Sequence, residues 1–300
     1  MKNKHTRIDC PICKKTAPWI FRHKVLRRYS ADLHLCPDCD YLFVAEPAWL
    51  AEAYTKVINA FDTGFFSRML SLREETALPL FLMSSGRKPW VDYGAGHGGY
   101  VRIMRDLGFD FFWHDPMAEN LFAIGFNEVQ GQKFYGATCF ECFEHFLNPI
   151  DEVKKILTRA TRIIFSTELR PQAVPDPKKW LYYGWEHGQH VGFHSRKSLQ
   201  ILGRTLGLSL VSSGAWLHAF LPENETQSLS ARLIRDGKLP LAAWRQQDMR
   251  ILLDFNCFLR SLWRGRVVSK DFLGVISRVL GSRTWPDHMR LKKIKDSSLL

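Results

Sequence analysis

From Pro89 onward, short apolar runs alternate with segments of helical spacing, a rhythm that predicts strands separated by helices. Trp90-Val91-Asp92-Tyr93 is such a run and ends in glycines. Residues 100–107 then put Val101, Met104 and Leu107 on one helical face, with Gly108 as the stop. Residues 111–114, 137–143 and 162–165 predict further buried strands, and 208–211 and 216–221 two more. Asn148-Pro149 is a helix start, with Asn as cap, Pro in the first turn and the acids Asp151 and Glu152 behind it. Ser195 starts another helix, carrying Leu199, Leu202 and Leu206 and closed by Gly207. Such alternation implies an α/β fold: a doubly wound, mostly parallel sheet covered on both sides. Before it, residues 47–84 have helical spacing (Trp49, Leu50, Ala53, Tyr54, Val57), and Pro79 is expected to break or kink the second half. From about 223 the pattern is helical again, with apolar stripes at Ile251–Trp263 and Phe272–Leu280.

Composition narrows the class. Among 300 residues, 46% are hydrophobic and 24% charged, a globular mixture with no apolar run near the roughly 18 residues a bilayer crossing needs. The polar start, Met1-Lys2-Asn3-Lys4-His5, lacks a signal-peptide pattern, so a cytoplasmic protein is expected. The charge of +12 is uneven: +4 over residues 1–60, −1 over 61–228 and +9 over 229–300. A basic C-terminal helical extension suits anionic partners, whether nucleic acid, a phosphorylated acceptor or an acidic membrane surface touched peripherally. It equally suits a solvated face, or helices packed on the core or on a second copy. No oligomeric state follows from it.

Seven cysteines with no export signal argue against a disulfide framework. Cys10-Pro11-Ile12-Cys13 and Cys36-Pro37-Asp38-Cys39 are two C-x2-C turns 22 residues apart. Each turn points two thiolates at one place, and together they make a tetrahedral shell for zinc. Four thiolates close the site, so this N-terminal zinc ribbon would be structural. Asp40 follows the second turn where glycine is the easier residue. Cys139 and Cys142 repeat the spacing inside an apolar run and are expected to be core thiols.

Asp92-Tyr93-Gly94-Ala95-Gly96-His97-Gly98-Gly99 follows a strand and opens a helix, so its backbone can approach a ligand closely and offer free N–H groups. Asp115 ends the next strand, where a carboxylate can accept both hydroxyls of a ribose. This segment resembles the first motif of class I S-adenosylmethionine-dependent methyltransferases. Phe140-Glu141-Cys142-Phe143-Glu144-His145-Phe146-Leu147-Asn148-Pro149 is similar to the segment after the fourth strand in a bacterial subgroup of them. The Trp185–Ser195 stretch resembles that subgroup's loop before its sixth strand. The resemblance implies a Rossmann-like core over 89–222, a zinc ribbon over 1–45, a helical linker over 46–88 and the basic extension over 223–300. It implies S-adenosylmethionine as cofactor, held by Asp92, Gly94, Ala95, Gly96, Gly98, Asp115 and Glu141. Residues 128–133 lack the acid–apolar pair that often holds the adenine, and Met117 is the substitute candidate for that packing.

Methyl transfer to oxygen or carbon calls for positioning and for a base. By the same resemblance His145 and His190 are candidate catalytic histidines, and Glu144 orients His145 or caps its helix. Trp180, Tyr182, Tyr183 and Trp185 either wall the acceptor or pack under the loop. The expected function is methyl transfer to an oxygen or carbon of a sugar, nucleotide-sugar or glycan in a polysaccharide pathway, on an acceptor expected to be anionic. An RNA methyltransferase gripping phosphates with ribbon and tail, and a non-catalytic scaffold, are the alternatives.

Overall fold

The structure is a computed structural model, and it describes residues 8–55, 63–84, 88–214 and 216–236. Val57 and the two apolar stripes beyond residue 250 lie outside the described residues. In chain order the elements are β1 (Ile8–Asp9), β2 (Thr16–Ala17), β3 (Trp19–Val25), β4 (Tyr29–Leu35), β5 (Leu42–Ala45), α1 (Leu50–Ala53), α2 (Phe65–Ser84) and β6 (Trp90–Tyr93). There follow α3 (Gly99–Asp106), β7 (Phe111–His114), β8 (Gly136–Cys139), α4 (Pro149–Leu157), β9 (Ile163–Ser166) and β10 (Gly192–Phe193). The last are α5 (Arg196–Thr205), β11 (Ser209–Ser212), β12 (Leu217–Leu221) and α6 (Leu229–Asp236).

The chain divides into two compact units, one of residues 66–136 with 227–300 and one of 1–65 with 137–226. In the first, β6 and β7 pair in parallel, Trp90 opposite Phe111 and Tyr93 opposite His114. Trp90, Val91, Tyr100, Val101, Met104 and Phe111 are buried there. The Thr76 hydroxyl meets the Tyr100 hydroxyl at 2.7 Å and ties α2 to α3. Helix α3 ends as its apolar spacing predicts: Gly108 N–H donates to Arg105 O and Phe109 N–H to Met104 O, closing the last turn. Helix α2 decides one half of the expectation at Pro79, the break. Pro79 lies inside it and does not end it. A proline removes one amide donor, and here buried Leu72, Ala77, Leu80 and Phe81 flank it, so side-chain packing carries the helix across the gap.

The second unit holds two sheets and a two-stranded pair. β1 pairs with β2, and a four-stranded antiparallel sheet runs β10-β5-β4-β3. In the other sheet β8 and β9 are parallel, while β12 runs antiparallel to β9 and β11 antiparallel to β12. The expected strand over 137–143 stops at Cys139. Glu141 adopts φ +53°, and its N–H donates to Ser166 Oγ at 2.8 Å, which turns the chain out of the sheet. Cys139 is accordingly buried in β8, whereas Cys142 lies beyond the strand with its thiol on Phe140 O. Ser195 caps α5 as expected, accepting from Ser198 N–H, and Ser198 Oγ returns the bond to Ser195 N–H. Asn148 stands at the start of α4 without a side-chain cap bond, so Pro149 and the acids Asp151 and Glu152 define that terminus.

Residues 8–55 do not close a core by themselves. Val25, Ala31, Leu33, Leu42, Val44 and Trp49 pack with Tyr183, Val191 and Phe193 in one buried cluster. Trp49 Nε1–H donates to Gly188 O at 2.8 Å, and Gln189 donates its side-chain amide to Ala53 O at 2.9 Å. The buried Arg170 guanidinium pairs with the Asp40 carboxylate and also reaches the Asp40 carbonyl. This accounts for Asp40 after the second cysteine turn: it takes the left-handed conformation (φ +62°), as Lys14 does after the first (φ +60°), and supplies Arg170 with its counter-charge.

His218 is buried in β12, with Nδ1 at 2.8 Å from the Ser212 hydroxyl and Nε2 at 3.0 Å from Thr167 O. A carbonyl only accepts, so Nε2 carries the proton and the ring is neutral. Burial holds its pKa at about 4, below the ordinary 6.5, with the Thr167 carbonyl offsetting part of the effect. The unfolded chain therefore takes up this proton near 6.5 and the folded chain only near 4. Stability is full above 6.5 and falls as the pH drops through that window, by about 3 kcal/mol. Urea unfolding at a series of pH values should show this slope, shallower by up to one proton in His218→Gln. An unchanged slope would remove His218 as its source.

Candidate functional site

Between β6 and α3 the chain turns through Gly94–Gly98. Gly94 N–H donates to His114 O at 2.9 Å, and Trp113 Nε1–H to Gly96 O at 2.7 Å, so β7 holds the loop in place. Gly98 has φ +87°, and a Cβ there would press on Ala123 and Asn120. A Cβ at Gly96 would meet nothing within 4 Å, so the loop has open space on that side. Ala95 is fixed by its N–H on His114 O.

Asp115 is placed where the sequence puts it, directly after β7. Its carboxylate accepts three backbone N–H groups: Gly96 at 2.8 Å on one oxygen, and Met117 at 2.7 Å and Ala118 at 2.8 Å on the other. The acid thus ties the glycine loop to the turn after β7. Three of about four acceptor positions are used, which leaves room for a ribose hydroxyl. Asp92 is buried in β6. Met117 is 61% exposed, and Leu121, Phe122 and Ile124 are exposed in the same segment. Leu121, Phe122 and Ile124 thus join Met117, which the sequence singled out, as exposed apolar side chains of one segment; periodicity did not mark those three, because none governs an irregular segment.

A second constellation lies in the other unit. Glu144 and His145 form a short 3-10 turn after β8, and His190 precedes β10. One carboxylate oxygen and two ring nitrogens from Glu144, His145 and His190 lie within 4.8 Å of one another. The His145 and His190 rings are 5.2 Å apart, with His187 4.7 Å from His190 and Tyr54 6.0 Å from His145. The cause is a chain of backbone bonds: Val44 N–H donates to Val191 O and Val191 N–H to Glu144 O, both at 2.8 Å. Burial, then the nearby Glu141, pushes the Glu144 carboxyl up to about 8, which the Thr167 and Tyr182 hydroxyls offset only in part. Burial and the neighbouring His187 hold the His145 imidazolium below its ordinary range. Glu141 itself accepts the Ser166 hydroxyl at 2.6 Å. Tyr183 is fully buried in the shared core and stacks on Trp185 at 4.6 Å, so these two pack under the loop. Trp180 donates to Glu168, and Tyr182 lies 4.8 Å from His190. Tyr54 and His187 were not legible as site residues, since only the tertiary pairing brings them here.

The four N-terminal cysteines converge. Cys10 Sγ is 3.4 Å from Cys39 Sγ, Cys13 Sγ is 3.3 Å from Cys36 Sγ, and all four sulfurs lie within 4.8 Å of one another. A tetrahedral zinc with bonds of about 2.3 Å needs sulfurs about 3.8 Å apart, so the donor set and spacing fit that ion. The two turns are alike: Lys14 N–H returns to Cys10 O at 2.9 Å and Asp40 N–H to Cys36 O at 2.8 Å.

Residues 66–213 match the family model described as a methyltransferase domain. This segment is a methyltransferase domain. Solved structures similar to the chain include magnesium protoporphyrin IX methyltransferase from Synechocystis PCC 6803 with bound SAH. It is 14% identical and covers 58% of this chain and 91% of that one, with a TM-score of 0.40. Another is 1,6-didemethyltoxoflavin-N1-methyltransferase from Burkholderia thailandensis, 15% identical over 67% of this chain and 97% of that one, with a TM-score of 0.43. No curated protein matches the chain in sequence. Among the described residues, no helix of the methyltransferase is long and apolar enough to cross a membrane.

In this methyltransferase the position of His190 depends on Gly192, because any Cβ at 192 would collide with the Tyr41 hydroxyl. Gly192→Ala must part β10 from β5 or displace the buried Tyr41, at a cost of about 2 kcal/mol. Thermal unfolding should register that loss, while a substitution at exposed Leu181 should leave the midpoint unchanged.

Proposed function

We propose that the methyltransferase delivers its methyl group to an oxygen or carbon of a small-molecule or glycan acceptor, and that Glu144, His145 and His190 handle the acceptor's proton. The observation that carries this is the buried carboxylate set among two imidazoles after the carboxyl end of β8. S-adenosylmethionine supplies a methyl carried on a sulfonium. Asp115 would accept a ribose hydroxyl, the Gly94–Gly98 backbone would border the methionine part beside Gly96, and Met117 would pack on the adenine. Histidine suits proton removal near neutral pH once the acceptor is positioned. The carbohydrate class rests on the likeness to bacterial methyltransferases that join a cysteine ribbon to this core. In this reading zinc in the Cys10, Cys13, Cys36 and Cys39 shell is structural, since four thiolates leave no open position.

Transfer of labelled methyl to a panel of nucleotide-sugars, glycans and RNA tests the acceptor. Modification of a carbohydrate is expected, and modification of RNA alone would overturn that part. Asp115→Ala should weaken S-adenosylmethionine binding by about 2–4 kcal/mol, because the ribose bond is lost together with the bond from Gly96 N–H in the loop and those from Met117 and Ala118 N–H in the turn after β7. Asp115→Asn, which keeps an acceptor oxygen, should lose less, and calorimetry would rank the two. Elemental analysis should find one zinc per chain that survives mild chelation and is lost in Cys36→Ser. Protein folded without zinc would sink that assignment.

A further inference from the structure

Glu144 is fully buried; the Thr167 and Tyr182 hydroxyls lie near its carboxylate, but neither oxygen completes a hydrogen bond of full geometry. A carboxylate shut away from water in this way costs several kcal/mol unless a counter-charge or donors replace the water. The potential ligand atoms grouped with it are imidazole nitrogens. His190 Nδ1 lies 2.5 Å from Tyr182 O, and because a carbonyl only accepts, Nδ1 carries a proton, so that a metal ion would be met by Nε2 of the neutral ring. A backbone carbonyl on the far nitrogen is the arrangement that orients metal-ligating histidines. The backbone bond from Val191 N–H to Glu144 O sets the two segments side by side, so the group is held by main chain.

We propose that Glu144, His145 and His190 bind a divalent first-row transition ion of the zinc and iron(II) class. Two imidazoles disfavour magnesium and calcium, which take oxygen ligands. Three protein ligands leave at least one coordination position open, in contrast to the closed cysteine shell. That position suits an acceptor hydroxyl, whose proton such an ion acidifies. Only this last assignment rests on the reading that the cluster serves the acceptor; the ion site itself does not.

Full-length protein with its cysteine zinc in place is titrated with cobalt(II), followed by calorimetry and visible absorption. The expected result is about one equivalent bound, with the weak bands of nitrogen and oxygen ligands and none of the intense thiolate absorption of a cysteine site. Glu144→Gln and His190→Gln should each weaken binding more than tenfold while S-adenosylmethionine binding, an independent check of folding, persists. Leu181→Ala, at an exposed position outside the three, should bind cobalt as wild type. No cobalt binding, thiolate absorption, or binding that survives both ligand substitutions would overturn the site. If cobalt fails to bind and the two variants still abolish methyl transfer, the ion falls and metal-free proton handling stands. If cobalt binds in dependence on the three residues but the variants transfer methyl at the wild-type rate, the ion stands and the catalytic reading falls.

Discussion

Two backbone hydrogen bonds, Val44 to Val191 and Val191 to Glu144, organise the unit that carries the histidines. They make the strand after His190 the meeting line of the N-terminal sheet and the turn after β8. The neighbouring pair, Gly192 opposite Phe43 and Phe193 opposite Leu42, requires a residue without a side chain at 192, because Tyr41 fills the space. Burial then follows. Phe193, Val191 and Tyr183 complete a core that Val25, Leu33, Leu42 and Trp49 leave open. The cysteine module and the loop are thus parts of one cooperative structure, and the Arg170–Asp40 pair fastens them a second time.

The two carboxylates at the candidate sites show opposite electrostatic treatment. Asp115 accepts three backbone N–H groups and so spends its acceptor oxygens on holding the glycine loop to the turn after β7. Glu144 is buried, and the Thr167 and Tyr182 hydroxyls beside it compensate its burial only in part. Its burial raises the cost of ionisation, and the adjacent Glu141 adds to it. A group kept in that condition among two imidazoles is poised for a proton or a cation, whereas Asp115 is already occupied in building the architecture. Removing each would therefore have different consequences: loss of Asp115 loosens a loop, while loss of Glu144 removes a buried carboxyl whose ionisation burial opposes.

What the sequence by itself determined was whatever depends on neighbours a few residues away. The strands at 90–93 and 111–114, the stops at Gly108 and Gly207, the Ser195 cap and the two cysteine turns all follow from local hydrogen bonding and side-chain period. The cysteine shell was legible because metal geometry demands one spacing, and Asp115 because its place at a strand end is a matter of register. The end of β8 was not: apolar residues run on to Phe143, and only the bond from Glu141 to Ser166, 25 residues away, turns the chain aside. Pro79 does not break α2, since its local cost is outweighed by burial along the helix. His145 and His190 could be named from the sequence as separate candidates, but their approach to one another and to Glu144 came from β5–β10 pairing across some 150 residues of chain. Long-range strand pairing carries no local signal, because main-chain groups are the same at every residue, and it took the tertiary structure to choose which of them would meet.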